Sequence, residues 1–210
     1  MKKIYFVRHG ESVANRQGYL GGKDAELSDT GVHQANYVSQ RFQNLDITRL
    51  FASDFVRAQQ TAKPISEVTG LPIIIDQVFG EYLEPSCFLG RAEDDLEVMA
   101  YRKERNQKVE LDPGWLHSDE ESVGHFIVRI KTAKELLEAE KVSNIAVVSH
   151  AFFIQSFIAT ILLRSTVPTQ SWLSTVLTLK HSNTGISLLT FDEGVWRVVM
   201  FNDHAHFADE

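Results

Sequence analysis

The sequence predicts an α/β fold: a three-layer α/β/α sandwich on a mostly parallel central sheet, with a C-terminal antiparallel hairpin and an inserted lid segment. Three observations predict it. Short β-branched and aromatic runs alternate with stretches of helical period, which implies parallel strands joined by right-handed crossovers. The segment 144–149 reads as a continuous apolar strand of the kind buried on both faces. Near the end, the runs 185–191 and 195–201 flank Asp192, Glu193 and Gly194, a hairpin signal.

The elements follow in order. Residues 3–7 are β-branched and aromatic and break at Gly10, as a buried strand followed by a loop does. Ser28, Asp29, Thr30 and Gly31 precede Val32, Ala35, Val38 and Phe42, a helical stripe that Asp29 or Thr30 would cap. Leu50, Phe51 and Ala52 form a second strand, and Ala58, Thr61, Ala62, Ile65 and Val68 continue at helical spacing. Pro64 within that stretch implies a kink or a delayed start. Strand character returns over 71–76. From 85 to 122 the pattern is irregular, with one amphipathic helix expected from Ala92 to about Gln107. This stretch reads as a lid inserted over the sheet, so residues 1–210 are expected to form one domain. The apolar stretch 151–163 is interrupted by Gln155 and Ser156 and reads as a buried helix, short of the ~18 residues a membrane span needs.

Composition narrows the partners. The chain has 210 residues, 43% of them apolar and 10% aromatic, enough to bury a sizeable core. A formal net charge of -7 argues against nucleic acid or an anionic membrane, so any anion must be caught locally. Arg8 comes too early for a signal-peptide core, and the single cysteine, Cys87, makes no internal disulfide. Both features fit a cytoplasmic location.

Three groups fall just past strand ends: Arg8 and His9 after the first, Arg57 a few residues after the second, and His150 after 144–149. Ligands bind beyond the carboxyl ends of parallel strands, so these groups are expected to converge. Two arginines and two histidines would form a compact cationic pocket whose guanidinium forks match phosphate oxygens. Blander readings stand beside this one. RHG alone suits a surface turn, Asn15 a turn cap, Glu81 a solvated loop carboxylate, and Gly21 and Gly22 turn positions. His204 and His206 alternate as two ligands on one strand face would, but no third stands at a recognisable spacing, so no metal site is expected. His33, His117, His125 and His181 read as surface or structural residues, and Phe152 and Phe153 as core. The run YRKERNQK at 101–108 reads as a solvated helix face, with Arg102 or Arg105 as candidates for a second anionic group on the substrate.

Several ordered pieces of the chain resemble the histidine phosphatase superfamily in its phosphoglycerate-mutase-like branch. VRHGES at 7–12, with Asn15 following, is similar to the signature strand-to-loop element, and SDFVRAQQTA at 53–62 to the second arginine motif. IAVVSHAFF at 145–153 resembles the segment with the second histidine, and NTGISLL and FNDHAHF the last strands. The resemblance implies that His9 is the nucleophile, attacking phosphorus in line to form a phosphohistidine that water or an alcohol discharges. Attack needs a neutral imidazole. Arg8 and Arg57 should disfavour a second positive charge there, and the Gly10 carbonyl should fix the tautomer.

By the same resemblance Arg8, Arg57 and His150 would hold the non-bridging oxygens, with His150 protonated and Asn15 adding a neutral hydrogen bond. These cations would do the electrostatic work that a metal does elsewhere, so no cofactor is expected. A glutamate should protonate the leaving alkoxide. Glu81, in FGEYLE, stands where the family places it; Glu84 competes, because the glycine-containing stretch that usually follows is replaced by PSCFLG. The expected reaction is hydrolysis of a small phosphorylated metabolite or other phosphomonoester. The alternatives are a cofactor-dependent phosphoglycerate mutase, whose longer motifs are missing, and a non-catalytic binding module of the same fold.

Overall fold

The computed structural model describes residues 1–163 and 168–207. Six strands, β1 (Lys2–Arg8), β2 (Arg49–Ala52), β3 (Ile73–Ile75), β4 (Asn144–Ser149), β5 (Ile186–Asp192) and β6 (Val195–Asp203), make one sheet. Its order is β3-β2-β4-β1-β5-β6. The first four run parallel, whereas β5 is antiparallel to both β1 and β6. The β5–β6 turn is the expected one, with Glu193 and Gly194 at φ 49° and 78° and Asp192 opposite Val195. Two consecutive left-handed residues give a turn whose twist matches the strands it joins.

The described helices are α1 (Val13–Gln17), α2 (Asp29–Gln40), α3 (Val56–Thr69), α4 (Leu96–Lys108), α5 (Val123–Ala139), α6 (Ala151–Leu163) and α7 (Thr169–Thr178). Alternation along the central strands makes the three layers. Ile4, Phe6, Ile145 and Val147 face Phe126, Ile130, Phe153 and Phe157 of α5 and α6. Tyr5, Val7, Ala146 and Val148 face Val38, Ala58, Ala62 and Ile65 of α2 and α3. Phe6 is wholly buried, with ring centroids 4.8 Å from Phe157 and 6.3 Å from Phe153. Truncating such a side chain to alanine costs about 3–5 kcal/mol.

The structure revises several expected boundaries. Helix α3 starts at Val56, without delay, and runs through Pro64 to Gly70 at φ 69°. A single proline removes one ladder bond, which the packing of Ala58, Ala62 and Ile65 outweighs. Strand β3 is shorter than 71–76 and lies at the sheet edge, because Asp76 accepts the Val78 N–H and turns the chain into a short 3-10 helix, Gln77–Phe79. Helix α4 begins at Leu96 rather than Ala92: Asp95 accepts the Glu97 and Val98 N–H groups, while Ala92 pairs with Tyr19. Helices α1, α5 and α7 come in addition to those the spacing predicts. Helix α5 is capped by Ser122 and buries Phe126, Ile130, Ala133 and Leu137.

Candidate active site

Strands β1 and β4 lie side by side with Arg8 opposite Ser149. The residues that follow, His9 and His150, therefore leave the sheet together, their ring centroids 5.0 Å apart. Strand β2 flanks β4 on its other side, Ala52 opposite Val148, which brings Arg57 in the first turn of α3 to the same edge. The chain leaving β3 returns over these strand ends, where Ser149 Oγ donates to Phe79 O at 2.7 Å, and presents Glu81.

His9 is 3% exposed, and its Nδ1 lies 2.7 Å from Gly10 O. A carbonyl only accepts, so Nδ1 carries the proton and Nε2 the lone pair. Arg57 Nε donates to that Nε2 at 3.1 Å. Burial, then Arg57 and Arg8, push the His9 pKa well below 6.5, against the smaller opposing pull of the Gly10 carbonyl. The ring is neutral and of one tautomer. A Cβ at Gly10 would sit 2.5 Å from Gly31 O, so only glycine lets this loop close against α2.

Arg57 also donates to Gly22 O at 2.8 Å and lies over the Phe55 ring, 4.8 Å from its centroid. Burial lowers its pKa to about 10, against the Glu81 carboxylate that favours its charge, so it stays cationic near neutrality. Arg8 Nη1 donates to His181 O at 2.5 Å, and its Nε is buried with no hydrogen-bond partner. Asn15 does two things at once. It forms a capping box with Ser12, its Oδ1 accepting the Ser12 N–H, and it lines the cavity beside His9.

His150 departs from expectation. It is wholly buried, and burial followed by Arg57, His9 and Arg8 holds its pKa well below 6.5, so in the free site it is neutral rather than protonated. A second imidazolium beside two guanidiniums, away from water, is too unfavourable. Its Nε2 lies 2.8 Å from Ser53 Oγ, which already accepts the Phe55 N–H at 3.1 Å. A hydroxyl oxygen has two acceptor sites, so this contact fits either His150 tautomer, while Nδ1 is buried with no hydrogen-bond partner.

Glu81 and Glu84 occupy different settings. Both Glu81 oxygens face the first turn of α6: Oε1 accepts from Tyr82 N and Phe153 N, each at 3.0 Å, and Oε2 from Phe152 N at 3.1 Å. Burial raises its pKa, outweighing those N–H groups and the two arginines. Glu84 instead pairs with Arg102 at 3.1 Å and Arg105 at 3.7 Å.

Arg8, His9, Asn15, Arg57 and Glu81 line one cavity of 450 Å³; His150, its ring centroid 5.0 Å from that of His9, is not among the lining residues. The far side is closed by Arg102, Arg105 and Asn106 of α4, so the run at 101–108 is not simply a solvated face. The sequence profile of the histidine phosphatase superfamily (branch 1) matches residues 4–204. The chain belongs to this family. "Probable phosphoglycerate mutase GpmB" of Photorhabdus laumondii is 33% identical over 167 residues, covering 77% of this chain and 75% of that protein. The protein of the same name from Yersinia pestis is 32% identical over 164 residues, with the same coverage. Among solved structures, phosphoserine phosphatase of Entamoeba histolytica superposes with a TM-score of 0.79 at 23% identity, covering 99% of this chain and 100% of that one. A mycobacterial glucosyl-3-phosphoglycerate phosphatase gives 0.79 at 22%, covering 96% and 99%.

In this histidine phosphatase several supporting residues lie outside the expected set. The segment 181–185 holds the site from below: Asn183 Nδ2 donates to His9 O at 3.0 Å and Thr184 N to Arg8 O at 3.0 Å. Thr184 is left-handed, at φ 52°. His181, read from sequence as surface or structural, is a buried neutral residue with its pKa lowered to about 4, chiefly by burial, and its carbonyl anchors Arg8. Thr61 Oγ1 accepts the Gly10 N–H at 3.0 Å. Such contacts depend on backbone course, which carries no side-chain signature. The inserted segment, which roofs the cavity, is pinned to the loop after α1, where Leu20 exchanges backbone bonds with Gly90 and Arg91.

Proposed function

We propose that this chain hydrolyses small phosphomonoesters through a phosphohistidine at His9. The observation that carries this reading is the unprotonated Nε2 of a buried, neutral His9, facing Arg57 inside a cavity that also holds the half-buried Glu81 carboxyl. Arg57 turns from Nε2 to the phosphoryl oxygens, joined by Arg8, the Asn15 amide N–H2 and, by the family resemblance, His150. The lone pair of Nε2 then attacks phosphorus, a P–N bond forms, and the P–O bond to the alcohol breaks. The departing oxygen takes a proton from Glu81. Oε1 already accepts two N–H groups and Oε2 only one, so the proton rides on Oε2. Glu81 then accepts a proton from the water that cleaves the P–N bond, releasing orthophosphate and restoring His9.

Glu84 is the weaker candidate for the acid because two guanidiniums share it. We read the substrate as a small phosphorylated metabolite, since a 450 Å³ cavity bordered by α4 is the size of a small-molecule site. An exposed, unpaired Cys87 fits a reducing, cytoplasmic setting. Among the described residues no helix is long and apolar enough to cross a membrane. The identity to proteins named phosphoglycerate mutase favours a second reading, phosphoryl return to a glycerate. Incubation with 3-phosphoglycerate and a bisphosphoglycerate primer separates the two: orthophosphate supports hydrolysis and an isomer supports the mutase. Rapid quenching with labelled ester should trap an acid-labile phosphoryl group on His9; its absence would sink both.

A further inference from the structure

We propose that Arg129, locked by Glu121, is a positioning residue for Glu81, holding the backbone from which the proton donor is presented. This rests on the reading of Glu81 as the acid. Residues 80–85 have no regular secondary structure, so their carbonyls need partners from elsewhere. Arg129, on α5, supplies them. Its Nη1 donates to Val78 O at 3.2 Å and Gly80 O at 2.7 Å, and its Nη2 to Glu81 O at 3.0 Å. The two remaining N–H groups go to Glu121, Nε to Oε1 at 2.9 Å and Nη2 to Oε2 at 2.6 Å. All five donors of the guanidinium are thereby used, and its Cζ lies over the Phe126 ring, 4.8 Å from the centroid. Glu121 adds its own backbone N–H to Leu83 O at 3.0 Å.

The carboxylate end of Glu81 is tied to α6 and the backbone end to α5. Phe79, held by Ser149 Oγ, and Tyr82, packed on Phe126 and Phe152, flank Gly80 and Glu81 as core residues. On its far side lies a second cavity of 640 Å³, lined by Val78, Gly80, Glu81 and Leu83 together with Glu121 and Arg129, so the segment is a wall between two voids. Packing anchors Phe79 and Tyr82 in the core on either side, but the Gly80 and Glu81 carbonyls between them are fixed by the directional bonds of Arg129. Proton transfer needs the donor within hydrogen-bond reach of the leaving oxygen, so slack here should weaken leaving-group protonation more than phosphate binding. Lysine, with three donors and no plane, cannot reproduce the fork.

The test is kcat/KM for a series of substituted phenyl phosphates, from 4-nitrophenyl to phenyl, in Arg129→Met, Arg129→Lys, Glu121→Gln and Glu81→Gln. Arg129→Met should lose about 10- to 100-fold on phenyl phosphate but no more than about threefold on 4-nitrophenyl phosphate, steepening the dependence on leaving-group pKa towards that of Glu81→Gln. Arg129→Lys should fall between, and Arg129→Met/Glu81→Gln should lose nothing beyond Glu81→Gln on phenyl phosphate. Equal losses on all esters, or none, would overturn the proposal. Should Arg129→Met fail to fold, Glu121→Gln decides by the same pattern. A Glu81→Gln variant with an unaltered leaving-group slope would instead remove the acid role of Glu81, and this inference with it.

Discussion

In the free site Arg57 Nε donates a 3.1 Å hydrogen bond to His9 Nε2, so the cation proposed to bind phosphate sits on the lone pair of the proposed nucleophile. The bond is a resting arrangement that substrate must exchange. It also ties the charge state of His9 to Arg57, the largest influence on its pKa after burial.

Arg57→Ala should therefore do two things. Loss of phosphoryl stabilisation should lower kcat/KM by about 10²–10³-fold. Removing a cation that disfavours imidazolium should raise the His9 pKa and move the acid limb of the pH–rate profile to higher pH. A limb that stays in place or moves down would contradict this account.

His9→Ala should abolish turnover and leave a folded protein. The ring contributes one hydrogen bond to Gly10 O and lies between two guanidiniums, so its removal relieves crowding of charge as well as opening a void. Thermal unfolding of the variant, with and without orthophosphate, is the measurement, and collapse of the fold is the contrary outcome.

Glu81→Gln should slow esters with poor leaving groups far more than 4-nitrophenyl phosphate, by about 10²-fold or more. Since burial raises the Glu81 pKa, wild-type activity on poor leaving groups should fall as pH rises through that value, while the low-pH side is set by protonation of His9. The glutamine variant should lack the high-pH decline, which a pH series of kcat/KM would reveal.

Stability should fall on acidification. His181 is neutral in the fold, with its pKa lowered from 6.5 to about 4, so the unfolded chain takes up the proton first. Its contribution is complete above pH 6.5 and is lost as pH falls towards 4, amounting to about 3 kcal/mol in the limit. His9 and His150 add in the same direction, and Glu81, with its raised pKa, opposes them. Melting temperatures across this window in wild type and His181→Asn, which should be less pH-sensitive, are the check.

Much of the molecule is legible in one dimension. The run at 144–149, the β-branched 3–7 and the Glu193–Gly194 turn carry their own local physics, and the motifs around His9, Arg57 and His150 announced the family because chemistry dictates residue types at strand ends. Parallel topology alone puts His9 beside His150, since β1 and β4 are neighbours in register. Three matters awaited the folded chain. Burial among guanidiniums leaves His150 neutral, because charge is unfavourable where water is excluded, however a motif reads. Glu81 rather than Glu84 meets the first turn of α6, because pairing with Arg102 and Arg105 draws Glu84 to the roof. The grip of Arg129 on Val78, Gly80 and Glu81 joins carbonyls some fifty positions away, and a carbonyl is the same at every residue, so only the path of the chain reveals it.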